Sequence, residues 1–210
     1  MIQKFKSTQL YHIVRNIYLR YWQIKEFNNW EKNGKSAPSP HLVKQIEIVE
    51  CSKKNNSKIL VETGTYYGDM VEAMKKKFDK IYTIELSDQL FQMAKNRFKH
   101  QNNIEIFQGN SAILLHDIIK NINEPAIFWL DGHYSSGITA KGEKETPIKE
   151  ELFIILNSNK LNHIILIDDA RSFGTQLDYP TIDELSKFIF EFSPEACISV
   201  KDDIIRVELN

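Results

Sequence analysis

The shortages in this chain exclude more than its abundances suggest. Only two of its 210 residues are cysteine, Cys51 and Cys197. They lie far apart with no metal-type spacing, so each reads as a buried, reduced thiol. No run approaches the roughly 20 apolar residues that a membrane-spanning helix needs. The N-terminus lacks the n-region, h-region and cleavage-site order of a signal peptide, and the expected compartment is cytoplasmic. A net charge of −1 offers no overall pull towards nucleic acid or an anionic membrane. There is no aromatic-basic stripe over the body of the chain, so no nucleic acid partner is expected. The phosphate-cradling G-x-x-x-x-G-K-[ST] pattern is missing, and so is the complete G-x-G-x-x-G of dinucleotide binders.

What is present is ordinary globular composition, 42% hydrophobic and 26% charged, in a length that suits one core. Acid is absent from the first 25 residues, which carry Lys4, Lys6, Arg15, Arg20 and Lys25. Leu10, Ile13, Val14, Ile17, Tyr21 and Ile24 recur there at helical spacing, which predicts a basic amphipathic helix. An apolar stripe of that size must be covered. The simplest cover is the acidic remainder of the chain or a twofold-related subunit in a homodimer, with contact to a membrane surface third. Gly34, Pro38 and Pro40 then break regular structure, and a second amphipathic helix is expected from Leu42 to about Lys53.

From Lys58 the pattern alternates. Short apolar runs at 58–65, 80–86, 103–109, 126–132 and 163–169 read as strands buried on both faces of a parallel sheet. Helix-like segments lie between them at 69–78, 88–99, 111–121 and 147–157. Thr181 caps a further predicted helix reaching about Phe192, with Glu184 closing a capping box. Residues 197–209 read as two strands around a tight Lys201-Asp202-Asp203 turn. The expected fold is α/β: a Rossmann-like doubly wound sheet, mostly parallel, with an antiparallel C-terminal hairpin and an N-terminal helical extension. The division is a helical extension over 1–57 and a single domain over 58–210.

In such a sheet, ligands bind beyond the carboxyl ends of the strands, where the informative residues gather. The first strand ends in V-E-T-G-T-Y-Y-G-D (61–69). Gly64 and Gly68 permit a sharp turn and close backbone approach to a ligand, with Tyr66 standing where a dinucleotide loop has its middle glycine. About 20 residues on, Glu85 ends the second strand, placed to accept hydrogen bonds from both ribose hydroxyls. Asn110 and Ser111 end the third strand, where an adenine edge would lie; either also suits a helix N-cap.

The segments E-T-G-T-Y-Y-G (62–68), Y-T-I-E-L (82–86), G-N-S (109–111) and W-L-D-G-H (129–133) resemble the first four motifs of class I S-adenosylmethionine-dependent methyltransferases. The glycine loop is most similar to the catechol and macrocin O-methyltransferase-like groups, in which a Glu-x-Gly-x-Tyr-x-Gly loop opens the site. The likeness covers roughly residues 58–171. It implies S-adenosylmethionine as cofactor, held by Glu62, Gly64, Tyr66, Gly68, Glu85, Asn110, Ser111 and Asp131.

Asp131 and the pair Asp168-Asp169 end the fourth and fifth strands, so three carboxylates are expected to converge near the cofactor. Buried carboxylates repel one another, and a hard divalent cation such as Mg²⁺ would relieve that. Metal-dependent O-methyltransferases of the resembled group place ligands at these positions. Without a metal, Asp131 would touch the cofactor or acceptor directly, and Asp168 or Asp169 would pair with Arg171. His133 is the candidate base beside Asp131. The catechol-like base is a lysine at a position that here is Ser135 or Ser136, with Lys141 in reserve. The stretch 134–147 reads as a substrate-facing lid.

The resulting expectation is O-methylation of a small-molecule or sugar hydroxyl. No Asn-Pro-Pro-Tyr-like tetrapeptide stands at 131–134 to hold a nucleobase amine. The alternatives are a metal-independent methyltransferase using Asp131 and His133, and a non-catalytic nucleotide-binding protein.

Overall fold

The computed structural model describes residues 9–131, 147–158, 161–176 and 179–209. Two helices come first, α1 (Gln9–Lys32) and α2 (His41–Asn55). Then follow β1 (Ile59–Thr63), α3 (Asp69–Met74), β2 (Lys80–Glu85), α4 (Asp88–Phe98), β3 (Ile104–Gln108) and α5 (Ser111–Ile119). The second half runs β4 (Ala126–Leu130), α6 (Ile148–Leu156), β5 (Ile164–Ile167), α7 (Ile182–Phe192), β6 (Cys197–Lys201) and β7 (Ile204–Glu208). The strands form one seven-stranded sheet in the order β3-β2-β1-β4-β5-β7-β6. β1 to β5 are parallel, whereas β7 runs antiparallel to both β5 and β6. The strand order reverses between β1 and β4, which opens the crevice where ligands of open α/β sheets bind.

The doubly buried strands follow from their runs of Ile, Leu, Val and Phe. Alternate residues leave the sheet on opposite sides. Leu60, Ile81, Ile127 and Trp129 meet Ile48 and Cys51 of α2, Val71 and Met74 of α3, and Phe98 of α4. Val61, Phe128 and Ile165 meet Leu115 of α5, Leu152 of α6 and Leu185 of α7. α7 starts as expected: the Thr181 side chain accepts from the Glu184 backbone, and the Glu184 carboxylate accepts from the Thr181 N–H at 2.8 Å.

Two expectations need correction here. Cys197 is exposed rather than buried, because β6 is the edge strand and most of its residues face solvent. α1 does dock on the domain, but with its polar side. Arg15 forms a fork with Asp69 and Asn16 accepts from Arg97 at 3.1 Å, while within the extension the buried Trp30 donates its indole N–H to the Ser36 carbonyl at 2.7 Å. Val14, Ile17, Tyr21 and Ile24 of the α1 apolar stripe are exposed. Among the described residues no helix is long and apolar enough to cross a membrane.

Candidate functional site

The first wall of the site is the loop after β1. Gly64, Tyr66 and Gly68 all have positive φ, at 87°, 50° and 76°. A β-carbon on Gly68 would lie 2.7 Å from Cε2 of Phe98, so this position needs glycine for both torsion and space. The loop closes with Gly68 N–H donating to the Thr65 carbonyl at 2.8 Å. Arg97 fastens its far side, donating to the Tyr67 carbonyl at 2.6 Å and to Asp69 at 2.8 Å. Burial works against ionisation of Asp69, yet Arg15 and Arg97 together hold its carboxyl below the usual range.

Glu62 sits beneath this loop rather than in it. It is 2% exposed and accepts from the Thr83 hydroxyl at 2.5 Å, and Thr83 in turn meets Thr65 at 2.5 Å. Burial pushes the Glu62 carboxyl up to about 8. The side chain therefore braces the turn as a neutral group at neutral pH.

Glu85 ends β2 beside the loop. One carboxylate oxygen accepts from the Tyr66 N–H at 2.7 Å and the other from the Ser87 N–H at 2.9 Å. Two backbone donors thus orient an acceptor-only group at the strand end, while burial keeps its pKa above the ordinary value. Asn110 caps α5, its side chain accepting from the Ala112 N–H at 2.9 Å. Ser111 is buried and hydrogen-bonds the Glu151 carboxyl, which burial raises to about 7. The cap role assigned to this pair therefore falls to Asn110.

Asp131, Asp168 and Asp169 converge as the strand ends imply. One carboxylate oxygen from each lies within 4.8 Å of the others. Parallel pairing does this: Asp131 N–H donates to the Thr63 carbonyl and Asp168 N–H to the Leu130 carbonyl, both at 3.1 Å. Asp169, with φ of 57°, turns the chain out of the sheet and accepts from Arg171 at 2.8 Å. Burial, and then the negative charge of Asp131, push the Asp168 carboxyl up to about 7.

The sequence reading missed the cation inside this cluster. Lys44 of α2 hydrogen-bonds Asp168 and lies 3.9 Å from Asp169. Burial opposes its charge, but Asp168 and Asp131 hold the ammonium above its ordinary range. His41 precedes it by one helical turn, with Nδ1 2.7 Å from the Gln45 amide nitrogen and 3.1 Å from that of Gln23. Burial lowers the His41 pKa, partly countered by Asp69 and Asp131. The spacing His41-x-x-Lys44 on one helix face was the available signal. His133, Lys141 and most of the 134–147 stretch lie outside the described residues.

No family profile matches the chain. Curated relatives include the probable ribosomal RNA small subunit methyltransferase A of Pyrococcus abyssi, 34% identical over 69 residues, which are 33% of this chain and 24% of that protein. The ribosomal RNA small subunit methyltransferase A of Caldanaerobacter subterraneus subsp. tengcongensis is 20% identical over 173 residues, 78% of this chain and 63% of that one. Relatives at or above 30% identity are thus matched over about a quarter of their length. Among solved structures, the SAH-bound Podospora anserina methyltransferase PaMTH1 aligns with a TM-score of 0.57 at 14% identity, covering 93% of this chain and 87% of that one. The SAH-complexed O-methyltransferase of Bacillus cereus aligns at 0.55 and 14%, covering 90% of each. With the strand order above, these likenesses define the class I S-adenosylmethionine-dependent methyltransferase fold. Solved and curated proteins alike are named as methyltransferases.

The relatives also correct an expectation. Nucleic acid cannot be struck from the partners of a chain whose curated relatives are named for ribosomal RNA. Net charge averages over the whole molecule, whereas a nucleic-acid contact needs only a local basic surface. Arg20 and Lys25 stand exposed on α1.

Proposed function

We propose that this chain is an S-adenosylmethionine-dependent methyltransferase whose acceptor is a hydroxyl oxygen of a small molecule or sugar. The cofactor reading is supported by the chemistry of the donor set. Glu85 presents an oriented carboxylate for two ribose hydroxyls, Gly64 at positive φ lets the loop backbone approach closely, and Asn110 follows Gly109, whose N–H donates to the Glu85 carbonyl at 2.9 Å. Bound there, the cofactor supplies an electrophilic methyl group.

The observation that carries the oxygen acceptor is the Asp131–Asp168–Asp169 cluster beside that crevice. Methyl transfer is an in-line displacement, so the protein's task is to aim the acceptor, take its proton and exclude water. Asp131 is placed to accept a hydrogen bond from an acceptor hydroxyl and orient its lone pair. Lys44 neutralises part of the cluster's charge and would stabilise developing negative charge on the acceptor oxygen. The three carboxylates also fit a hard divalent cation such as Mg²⁺ in donor type and spacing. Asp131, Asp168 and Asp169 would hold it, and it would lower the pKa of a bound hydroxyl. Lys44 competes with such an ion for Asp168. His133, two residues past Asp131, is the proposed base.

A second reading, with an RNA acceptor, is favoured by the names of the curated relatives. Transfer of labelled methyl from S-adenosylmethionine to a panel of sugars, polyols and catechols, and to total RNA, tests both readings. Label on a hydroxyl of a small acceptor supports the first. Label only on RNA bases overturns it. Loss of turnover in excess EDTA assigns the metal, and full turnover removes it.

A further inference from the structure

We propose that the outward face of α1 is a self-association seam that pairs with the same face of a second copy of this chain. α1 is a helix with two committed sides. One side is taken by the domain, through Arg15 and Asn16 on Asp69 and Arg97, Gln23 beside His41, and the buried Trp30. The other side holds Val14, Ile17, Tyr21 and Ile24, which are 58%, 69%, 65% and 47% exposed. Tyr18 and Trp22 flank them, also exposed and in ring contact with each other at 5.9 Å.

The spacing of these residues suits a helix as partner. Val14, Ile17, Tyr21 and Ile24 follow steps of three, four and three, which are consecutive a and d positions of a heptad. A 3.5-residue repeat keeps one narrow line of side chains on a helix face, and what such a line fits is another helix bearing the same line. The side of α1 that docks on its own domain, through Arg15 and Asn16, lies opposite this seam, and among the described residues nothing packs over the seam. A second copy supplies an identical seam through a twofold axis, giving a self-complementary contact.

The amount of surface is consistent with that role. Tyr18, Tyr21 and Trp22 are 60%, 65% and 44% exposed, so each still offers about half of the roughly 150–250 Å² that a fully buried aromatic side chain covers. With the three aliphatic residues, the face offers several hundred Å² per copy, against roughly 800 Å² per partner in a standard interface. A membrane surface fits less well. Surface-lying helices carry many cations on the polar face, whereas here Arg15 is tied to Asp69 and Lys25 lies over the Trp22 ring at 4.8 Å. Glu26 and Glu31 add negative charge further along the same helix.

Sedimentation of the full chain across a dilution series tests the seam. The single-chain mass is 24.6 kDa, so twice that value is expected for the wild type at high concentration. Ile17→Glu combined with Tyr21→Glu should raise the dimer dissociation constant by about a hundredfold or more. Both side chains are exposed in the single chain, so cofactor binding and the circular dichroism spectrum should be unchanged. Tyr21→Lys alone is the milder variant if the double substitution misfolds. A wild type that keeps the single-chain mass throughout overturns the proposal. So does a dimer that survives the double substitution. Recruitment of single chains to anionic vesicles, lost in the variant, would assign the face to lipid and overturn it as well.

Discussion

Lys44 on the second helix and Asp168 at the end of the fifth strand form a direct ion pair across 124 residues of chain. Each is nearly enclosed, with side chains 16% and 2% exposed. The pair ties the N-terminal helical region to the carboxylate cluster, so the site is assembled from both ends of the chain.

Replacing Lys44 by Met removes the counter-charge of Asp168, whose carboxyl, already raised to about 7, should rise further and bind a proton near neutral pH. The expected loss is about 1–3 kcal/mol of folding stability, visible as a lower urea midpoint. The same variant should bind Mg²⁺ at least about tenfold more tightly by calorimetry, because a positive charge a few ångströms from the ion is gone. Unaltered Mg²⁺ affinity would show that the ion, if bound, does not share the lysine's place.

Glu85→Ala removes the oriented acceptor at the end of β2. Cofactor affinity should fall by roughly 1–3 kcal/mol, the cost of losing charge-assisted hydrogen bonds. Calorimetry with S-adenosylmethionine reads this directly. The Tyr66 N–H also loses its partner in this variant. Glu85→Gln keeps an acceptor and should lose less.

Gly68→Ala tests the loop. An L-residue at φ of 76° costs roughly 1–2 kcal/mol, and the added carbon meets the Phe98 ring at 2.7 Å. Both stability and cofactor affinity should drop. Pairing the change with Phe98→Leu should recover part of the steric share and none of the torsional share.

His163 gives a pH dependence with a definite sign. It is 1% exposed, its Nδ1 accepts from the Ala126 N–H at 3.1 Å, and burial lowers its pKa from 6.5 to about 4. The folded state thus binds its proton less readily than the unfolded state. Its contribution is complete above about 6.5 and is lost as pH falls towards 4, amounting to about 3 kcal/mol at most. Urea unfolding across that window should show the decline. His163→Gln should flatten it, at a cost in overall stability if the Ala126 N–H loses its acceptor.

The sheet was legible in the residue pattern. Short apolar runs rich in β-branched and aromatic residues, such as Ala126–Leu130, suit strands covered on both faces, and the Thr181–Glu184 capping box marked the start of α7. The same pattern also determined that Asp131, Asp168 and Asp169 would share one end of the sheet, because parallel strands deliver their carboxyl ends to the same side. Local signals carry that information, since periodicity and strand direction act over a few residues.

The tertiary structure alone decided which side chain neutralises those carboxylates, because Lys44 reaches them through packing between distant segments that no local pattern encodes. It set Glu62 beneath the glycine loop against the Thr83 hydroxyl, where burial raises its pKa to about 8, a surrounding that the motif does not encode. It also decided which side of α1 meets the domain. Helical periodicity marks the apolar stripe as the buried one, yet the fork of Arg15 on Asp69 draws the polar side inward and leaves the stripe outside. Periodicity identifies a face that needs cover, and only the competing contacts of the folded chain decide what provides it.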